Sequence, residues 1–305
     1  MLANEGRFFT ATRFGGDDDL EKRWLEKRNK GIGGSDVAAV MGISPWRSPV
    51  EVWMDKTGRM PPRDLSGSER IAMGNEMESF VREMYARRHP DRKVMRSNAV
   101  LTSVTRPWAQ ASLDGVVMDP GAGWGVLEIK TGSKESEWDE GVPMHYLTQV
   151  THYLSITGYE FADVVALVGD FGLHYHEYRV ARDDDDIEAV VEAVDNFWTT
   201  FVERDLMPTV VTPLQSEGKA IYEMYRKADD EMTPTESGHL NELAAGIADA
   251  NARMSELRDE KTLCSNELKR VIGEHRGIVT HDYVVTWVRS ERRDSGLRVR
   301  LRDGY

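Results

Sequence analysis

Two short stretches carry the residue types that can cut a phosphodiester: Ser112-Leu113-Asp114-Gly115 and Leu127-Glu128-Ile129-Lys130. Between them, Pro120-Gly121-Ala122-Gly123 reads as a turn. A hairpin folded about Gly121 pairs residues whose numbers sum to twice 121, which sets Asp114 roughly opposite Glu128. Opposed positions bring Cβ atoms to about 4.5–5.5 Å, close enough for two carboxylates to share a divalent ion. Two like charges side by side are unfavourable without a cation, so the pair asks for one. Glu128 and Lys130 are two apart on a strand and share a face, while Leu127 and Ile129 point into a core. Hard oxygen ligands with open positions suit magnesium, with manganese as substitute. Such an ion acidifies water and polarises a phosphodiester, and a lysine beside it orients the water or neutralises developing charge. A cross-strand salt bridge on a surface hairpin has the same spacing. Glu78, in Gly74-Asn75-Glu76-Met77-Glu78, is a candidate third carboxylate. In Tyr146-Leu147-Thr148-Gln149-Val150, helical spacing puts Tyr146, Gln149 and Tyr153 on one face, where Gln149 can hold water or a phosphate.

The elements that must position these groups are legible in outline. Asp17, Asp18 and Asp19 announce a first helix, which ends at the glycines of Gly31-Ile32-Gly33-Gly34 before a second helix opens. Helices follow over 48–58, with Pro49 near the start, and over 69–89. Residues 93–103 read as one strand, 108–119 as another and 124–131 as a third. A helix over 144–158 stops at Gly158, two strands cover 162–180, and an acid-capped helix spans 183–205. The order predicts an α/β (α+β) core, a mixed central sheet flanked by helices, rather than an alternating Rossmann wind.

A boundary falls near 207–215, giving a body of 1–212 and an appendage of 213–305. In the appendage, Thr233, Pro234 and Glu236 read as a capping box. The helix they open carries Leu240, Leu243, Ile247, Ala250, Met254, Leu257, Cys264 and Leu268 at alternating spacings of three and four, with Lys261 interrupting. That is the seam of a coiled coil or helical hairpin, a surface for self-association or docking. A small β hairpin dense in arginine (Arg289, Arg292, Arg293, Arg298, Arg300, Arg302) closes the chain, and its guanidiniums are candidates for phosphate contacts.

Composition narrows the class. The chain has 305 residues, 40% of them hydrophobic, enough for one large core or a core plus appendage. No apolar run approaches the ~18–20 residues of a membrane span, and no secretory signal is evident, so a cytoplasmic location is expected. A single cysteine, Cys264, excludes an intrachain disulfide framework and any Cys-rich zinc or iron–sulfur site. The net charge of −13 argues mildly against a general nucleic-acid binder, although a basic channel can sit on an acidic body. His174 and His176 share a strand face but read as surface residues, the Asp183–Asp186 run reads as a helix cap, and Trp24, Trp46, Trp53 and Trp108 read chiefly as core.

Six motifs occur in order: Arg-Asn-Lys-Gly-Ile-Gly-Gly-Ser-Asp (28–36), Gly-Ile-Ser-Pro-Trp-Arg-Ser-Pro (42–49), Gly-Asn-Glu-Met-Glu (74–78), Ser-Leu-Asp-Gly (112–115), Leu-Glu-Ile-Lys (127–130) and Tyr-Leu-Thr-Gln-Val (146–150). The acid–acid–lysine set alone is degenerate; the ordered set is specific. From about Arg28 to about Pro208 the chain resembles the YqaJ-type viral recombinases, relatives of phage lambda exonuclease in the PD-(D/E)XK nuclease superfamily. The resemblance implies that Asp114, Glu128 and the Ile129 carbonyl bind metal, with Glu78 in support. It makes Lys130 the catalytic lysine and Gln149 the helix residue of the site. Arg28, Ser35 and Ser112 match positions that bind the 5′-phosphate of a DNA end, and a guanidinium grips phosphate bidentately.

The implied activity is a magnesium-dependent 5′→3′ exonuclease on linear double-stranded DNA, leaving 3′ single-stranded tails for phage-type recombination in a bacterial host. Expected partners are DNA ends, a single-strand annealing protein and further copies of the chain, a trimer by resemblance. Thr151 stands where many relatives carry a second glutamine. A structure-specific endonuclease of the same fold and a non-catalytic DNA-end-binding loader remain alternatives.

Overall fold

The computed structural model describes residues 2–14, 20–60, 69–132, 134–169, 172–209, 212–227, 231–290 and 293–302. The chain divides into two compact units, 1–228 and 229–305. Asp17–Asp19 and Arg292 lie outside the described residues.

The first unit is built on a five-stranded mixed sheet of β2 (Lys93–Met95), β5 (Gly115–Asp119), β6 (Gly123–Gly132), β7 (Phe161–Val168) and β8 (His174–Ala181), in that order. β6 and β7 run parallel, and the other neighbours are antiparallel. β7 is apolar nearly throughout and buried along its whole length, as a strand covered on both faces must be. Val164 and Ala166 face α5 (Met144–Thr157), packing with Val150 and Leu154. Val165 and Leu167 face the other way, with Leu127, Ile129 and the Val81 and Tyr85 side chains of α4 (Glu69–Arg88). The predicted mixed sheet flanked by helices is the observed architecture.

Two expected strands are each two. Residues 93–103 split into β2 and β3 (Ala99–Ser103), and 108–119 into β4 (Gln110–Ser112) and β5. In both, the chain leaves one sheet and enters another: β3 pairs with β1 (Phe9–Arg13) on one side and with β4 on the other in a separate three-stranded sheet. The second break falls at Leu113-Asp114 and carries Asp114 off the end of the β5–β6 ladder.

α1 (Leu20–Arg28), α2 (Gly34–Val40), α3 (Pro49–Lys56) and α6 (Asp184–Asn196) also belong to this unit, with a π-helical turn Phe197–Val202 after α6. α3 opens as its sequence dictates, with Ser48 and Glu51 in a reciprocal capping box and Pro49 in the first turn. Asp183 caps α6 by accepting the amides of Asp185 and Asp186. α5 ends at Gly158, whose φ of 63° is the left-handed conformation glycine adopts without strain.

The predicted boundary at 212/213 falls too early. α7 (Gln215–Met224) belongs to the first unit, because Ala220 packs with Val50 and Trp53 and the Ser216 hydroxyl donates to Glu51. The second unit holds one 35-residue helix, α8 (Gly238–Ile272), not a hairpin of helices. It is capped by Ser237, so the Thr233–Glu236 box is not used. A three-stranded antiparallel sheet follows, β9 (Gly277–Val279), β10 (Tyr283–Ser290) and β11 (Arg293–Leu301), one strand more than the predicted hairpin. Cys264, on the seam of α8, is exposed. Among the described residues no helix is long and apolar enough to cross a membrane.

Candidate active site

The β5–β6 register is the one the turn dictates: Gly115 pairs with Leu127 and Asp119 with Gly123. Beyond Gly115 the ladder ends, and the next amide on that edge of β6, Ile129 N–H, has no strand partner. Asp114 supplies one, its Oδ2 accepting from Ile129 N at 2.8 Å. A residue's N–H and C=O leave a strand on the same side, so the Ile129 carbonyl points to the same edge. Glu128, opposite in side-chain direction to Leu127 and Ile129, faces α5 and is 2% exposed.

The Glu128 carboxylate is used on one oxygen only. Oε1 accepts from Lys130 Nζ at 2.6 Å and from Gln149 Nε2 at 2.6 Å. Oε2 is buried with no hydrogen-bond partner among the described residues. Lys130 Nζ also donates to Gln149 Oε1 at 3.1 Å and lies 4.6 Å from the centre of the Tyr146 ring. Gln149 donates in turn to the Tyr153 hydroxyl at 2.9 Å. The amide of Gln149 is thereby fixed on both sides and holds the ammonium against the acid.

The charges are out of balance. Burial, reinforced by the Asp114 carboxylate, holds Glu128 well above the ordinary carboxylate range, with Lys130 opposing. Burial also raises Asp114 against the pull of Lys130, and burial together with Asp114 raises Glu78. Burial alone would lower Lys130, but Glu128 and Asp114 raise it. Three carboxyls that resist ionisation beside two cations, Lys130 and Arg82, form a site short of positive charge. An unpartnered carboxylate oxygen in that setting fits a divalent cation, held by Asp114, Glu128 and the Ile129 carbonyl. Among the described residues no group of three His, Cys, Asp or Glu side chains converges on one ion position. Glu78 lines the cleft but is engaged by Arg82, which also donates to the Asp114 carbonyl at 3.2 Å.

The cleft, about 450 Å³, extends from the acids to Ser112, Ser35 and Arg28. Arg28, at the end of α1, donates to the Ser35 hydroxyl and lies over the Trp24 ring at 5.0 Å. Ser35 stands in the first turn of α2, not at its cap, which is Gly33. α2 lies close against α5 because Gly34 has no side chain: a Cβ there would sit 2.4 Å from the Tyr153 ring. Behind the cleft, Asp36 is buried and bound by Arg47 at 2.6 Å and Lys56 at 2.9 Å. Despite its burial, those two cations hold its carboxyl far below the usual range. Lys56 also donates to the Arg28 carbonyl at 3.5 Å, tying the end of α1 to α2.

All nine residues singled out in the sequence therefore border or line one cleft. Tyr153, Arg82 and the Asp36–Lys56 pair complete it. Arg82 was findable as the i+4 partner of Glu78; Lys56 was not, since nothing local links it to Asp36. Trp24 lines the cleft, whereas Trp53 and Trp108 pack inside. His174 and His176 face Glu135, away from these acids.

Residues 23–160 match the YqaJ-like viral recombinase domain. Every candidate site residue lies within the YqaJ-like segment. The uncharacterized protein YqaJ of Bacillus subtilis (strain 168) is 29% identical over 274 residues, spanning 87% of this chain and 82% of its own. Among solved structures, the alkaline exonuclease LHK-Exo from Laribacter hongkongensis is 22% identical with a TM-score of 0.49, over 61% of this chain and 94% of that one. A phage related exonuclease from Haemophilus somnus 129PT is 12% identical with a TM-score of 0.41, over 57% and 96%.

Proposed function

We propose that this protein is a magnesium-dependent deoxyribonuclease that degrades one strand of linear duplex DNA from its 5′ end, leaving a 3′ single-stranded tail. The observation that carries the reading is the half-used Glu128 carboxylate beside Asp114 and Lys130, in one cleft with Arg28, Ser35 and Ser112. A divalent ion held by Asp114, Glu128 and the Ile129 carbonyl would acidify the attacking water and polarise the phosphodiester. The chain's own residues do the rest. Gln149 and Glu128 fix the Lys130 ammonium where it orients the water and offsets charge developing on the phosphate. The water oxygen bonds to phosphorus, the phosphorus–O3′ bond breaks, and the leaving O3′ takes up a proton. The released nucleotide keeps its original 5′-phosphate, and the shortened strand presents a new one. Arg28, with Ser35 and Ser112, receives that terminal phosphate, so each product end is the next substrate.

The YqaJ-like recombinase domain supports a place in phage-type recombination inside a bacterial cell, beside a single-strand annealing protein. Self-association, a trimer by resemblance, is part of the proposal; the exposed stripe of Leu240, Leu243, Ile247, Met254 and Leu257 along α8 supports it. The test is linear duplex phosphorylated at one 5′ end only, with the two strands separately labelled, in magnesium. Loss of the phosphorylated strand from its 5′ end is expected, with closed circular DNA left intact. Nicking of the circle would make the protein an endonuclease, and binding without cleavage in either metal would make it a loader.

A further inference from the structure

The arginines of the second unit are not equivalent. Arg289 is consumed internally: its guanidinium donates to the carbonyls of Gly273 at 2.7 Å and His275 at 2.9 Å and stacks over Trp287 at 4.1 Å. Arg298 and Arg300 differ. In the β10–β11 register they stand opposite Thr286 and Val284, so all four share one face of the sheet. The other face carries Val285, which is buried, and Trp287, over which Lys269 of α8 lies. Arg276, just before β9, joins Arg298 and Arg300 around a groove of about 550 Å³ that is also lined by Val284, Thr286 and Val288 and, past the register shift in β10, by Trp287 and Arg289. All three are exposed, and among the described residues none is paired with a carboxylate. In a chain of net charge −13, three guanidiniums around one groove, with no carboxylate partner among the described residues, make a local basic patch suited to an anionic ligand.

We infer that this face is a second nucleic-acid site, gripping the phosphodiester backbone through Arg276, Arg298 and Arg300 without reading sequence. Two residues on a strand are about 6.6 Å apart, so Arg298 and Arg300 can take successive phosphates of one backbone, and Arg276 a third from across the sheet. Guanidiniums bind phosphate oxygens bidentately, and the short, uncharged side chains of Thr286 and Val284 let a backbone approach. The site is independent of cleavage: it would hold DNA whether or not the Glu128 cleft cuts it.

The test is fluorescence anisotropy of the full chain with a labelled duplex and a labelled single strand, in chelator so that binding is read without cleavage. The subject is the triple variant Arg276→Gln/Arg298→Gln/Arg300→Gln. The control is Arg253→Gln/Arg258→Gln/Arg270→Gln on α8, which changes net charge equally. For the first, Kd at low salt is expected to rise at least about tenfold, and the slope of log K against log salt for duplex to become shallower by about 2 to 3. The control is expected to match the wild type. Whichever of duplex or single strand loses more is the preferred ligand. Should the triple variant fold poorly, Arg298→Gln alone reads the same effect as a slope change of about 1. Unchanged affinity and slope overturn the inference, as does an equal loss in both triple variants. Loss of poly-glutamate binding with DNA binding intact also overturns it, and assigns the face to an acidic protein. A Glu128→Gln variant that fails to cut but binds as before leaves the inference standing.

Discussion

Glu128 and Asp163 sit on neighbouring strands of one sheet, equally buried at 2% and 1% exposure, and could hardly be treated more differently. Asp163 accepts from Arg179 at 2.7 and 2.8 Å, from Arg92 at 3.2 Å and from the Tyr85 hydroxyl, and Asp119 shares both arginines. Every oxygen is answered and charge is neutralised. Glu128 has one lysine for two carboxylates and an oxygen with no partner. Burial alone therefore says nothing about function; the count of partners does. A saturated acid holds a fold together, whereas an unsaturated one beside a like charge has been left open for something that arrives later.

That contrast can be broken by mutation. The largest effect belongs to Glu128→Gln: nuclease activity in magnesium should fall by about 10³-fold or more, while the melting temperature in chelator stays level or rises, because a buried, poorly compensated charge is gone. Asp163→Asn should do the reverse. It strands Arg92 and Arg179, costing about 3 kcal/mol in denaturant unfolding, while activity per folded molecule is kept. A melting loss in Glu128→Gln as large as in Asp163→Asn would erase the distinction.

A comparable stability effect is expected from pH. His152 is fully buried, and burial, aided by the Arg106 charge, lowers its pKa to about 4, while its Nε2 lies 3.1 Å from the Gln110 carbonyl. A depressed pKa contributes stability that is present above the unfolded value of about 6.5 and is lost as pH falls through the folded one. The protein should lose up to about 3 kcal/mol between pH 6.5 and 4, and His152→Gln should flatten that part of the curve. An unaltered profile in the variant would reject His152 as the source. The smallest effect is that of Tyr153→Phe. Removing the hydroxyl that takes Gln149 Nε2 should lower activity about five- to tenfold and stability by about 1 kcal/mol, read by steady-state rates and unfolding.

How much of this the residues announced depends on how local the cause is. The register about Gly121, the helix start at Pro49, the stop at Gly158 and the helical face of Gln149 and Tyr153 are settled by near neighbours, and all appear as read. The splitting of residues 93–103 and 108–119 was not readable, because what divides them is a second sheet in which Ala99–Ser103 pairs with β1, from far along the chain, and with β4. Periodicity persists through such a break. For the same reason the Asp163 network was invisible: Arg92, Asp119, Asp163 and Arg179 come from four separate strands and loops. α8 failed differently. The Thr233–Glu236 pattern is a sound cap, but Ser237 offers the same chemistry closer to the first turn and wins.

The central claim is that the open acid, not the saturated one, cuts DNA. Its most direct test is the release of acid-soluble nucleotide from linear duplex in magnesium by the wild type, Glu128→Gln and Asp163→Asn, at equal concentrations of folded protein. Release by the wild type and Asp163→Asn, with none from Glu128→Gln, is the predicted result. Digestion by Glu128→Gln at the wild-type rate, or a folded wild type inert in both magnesium and manganese, would contradict it.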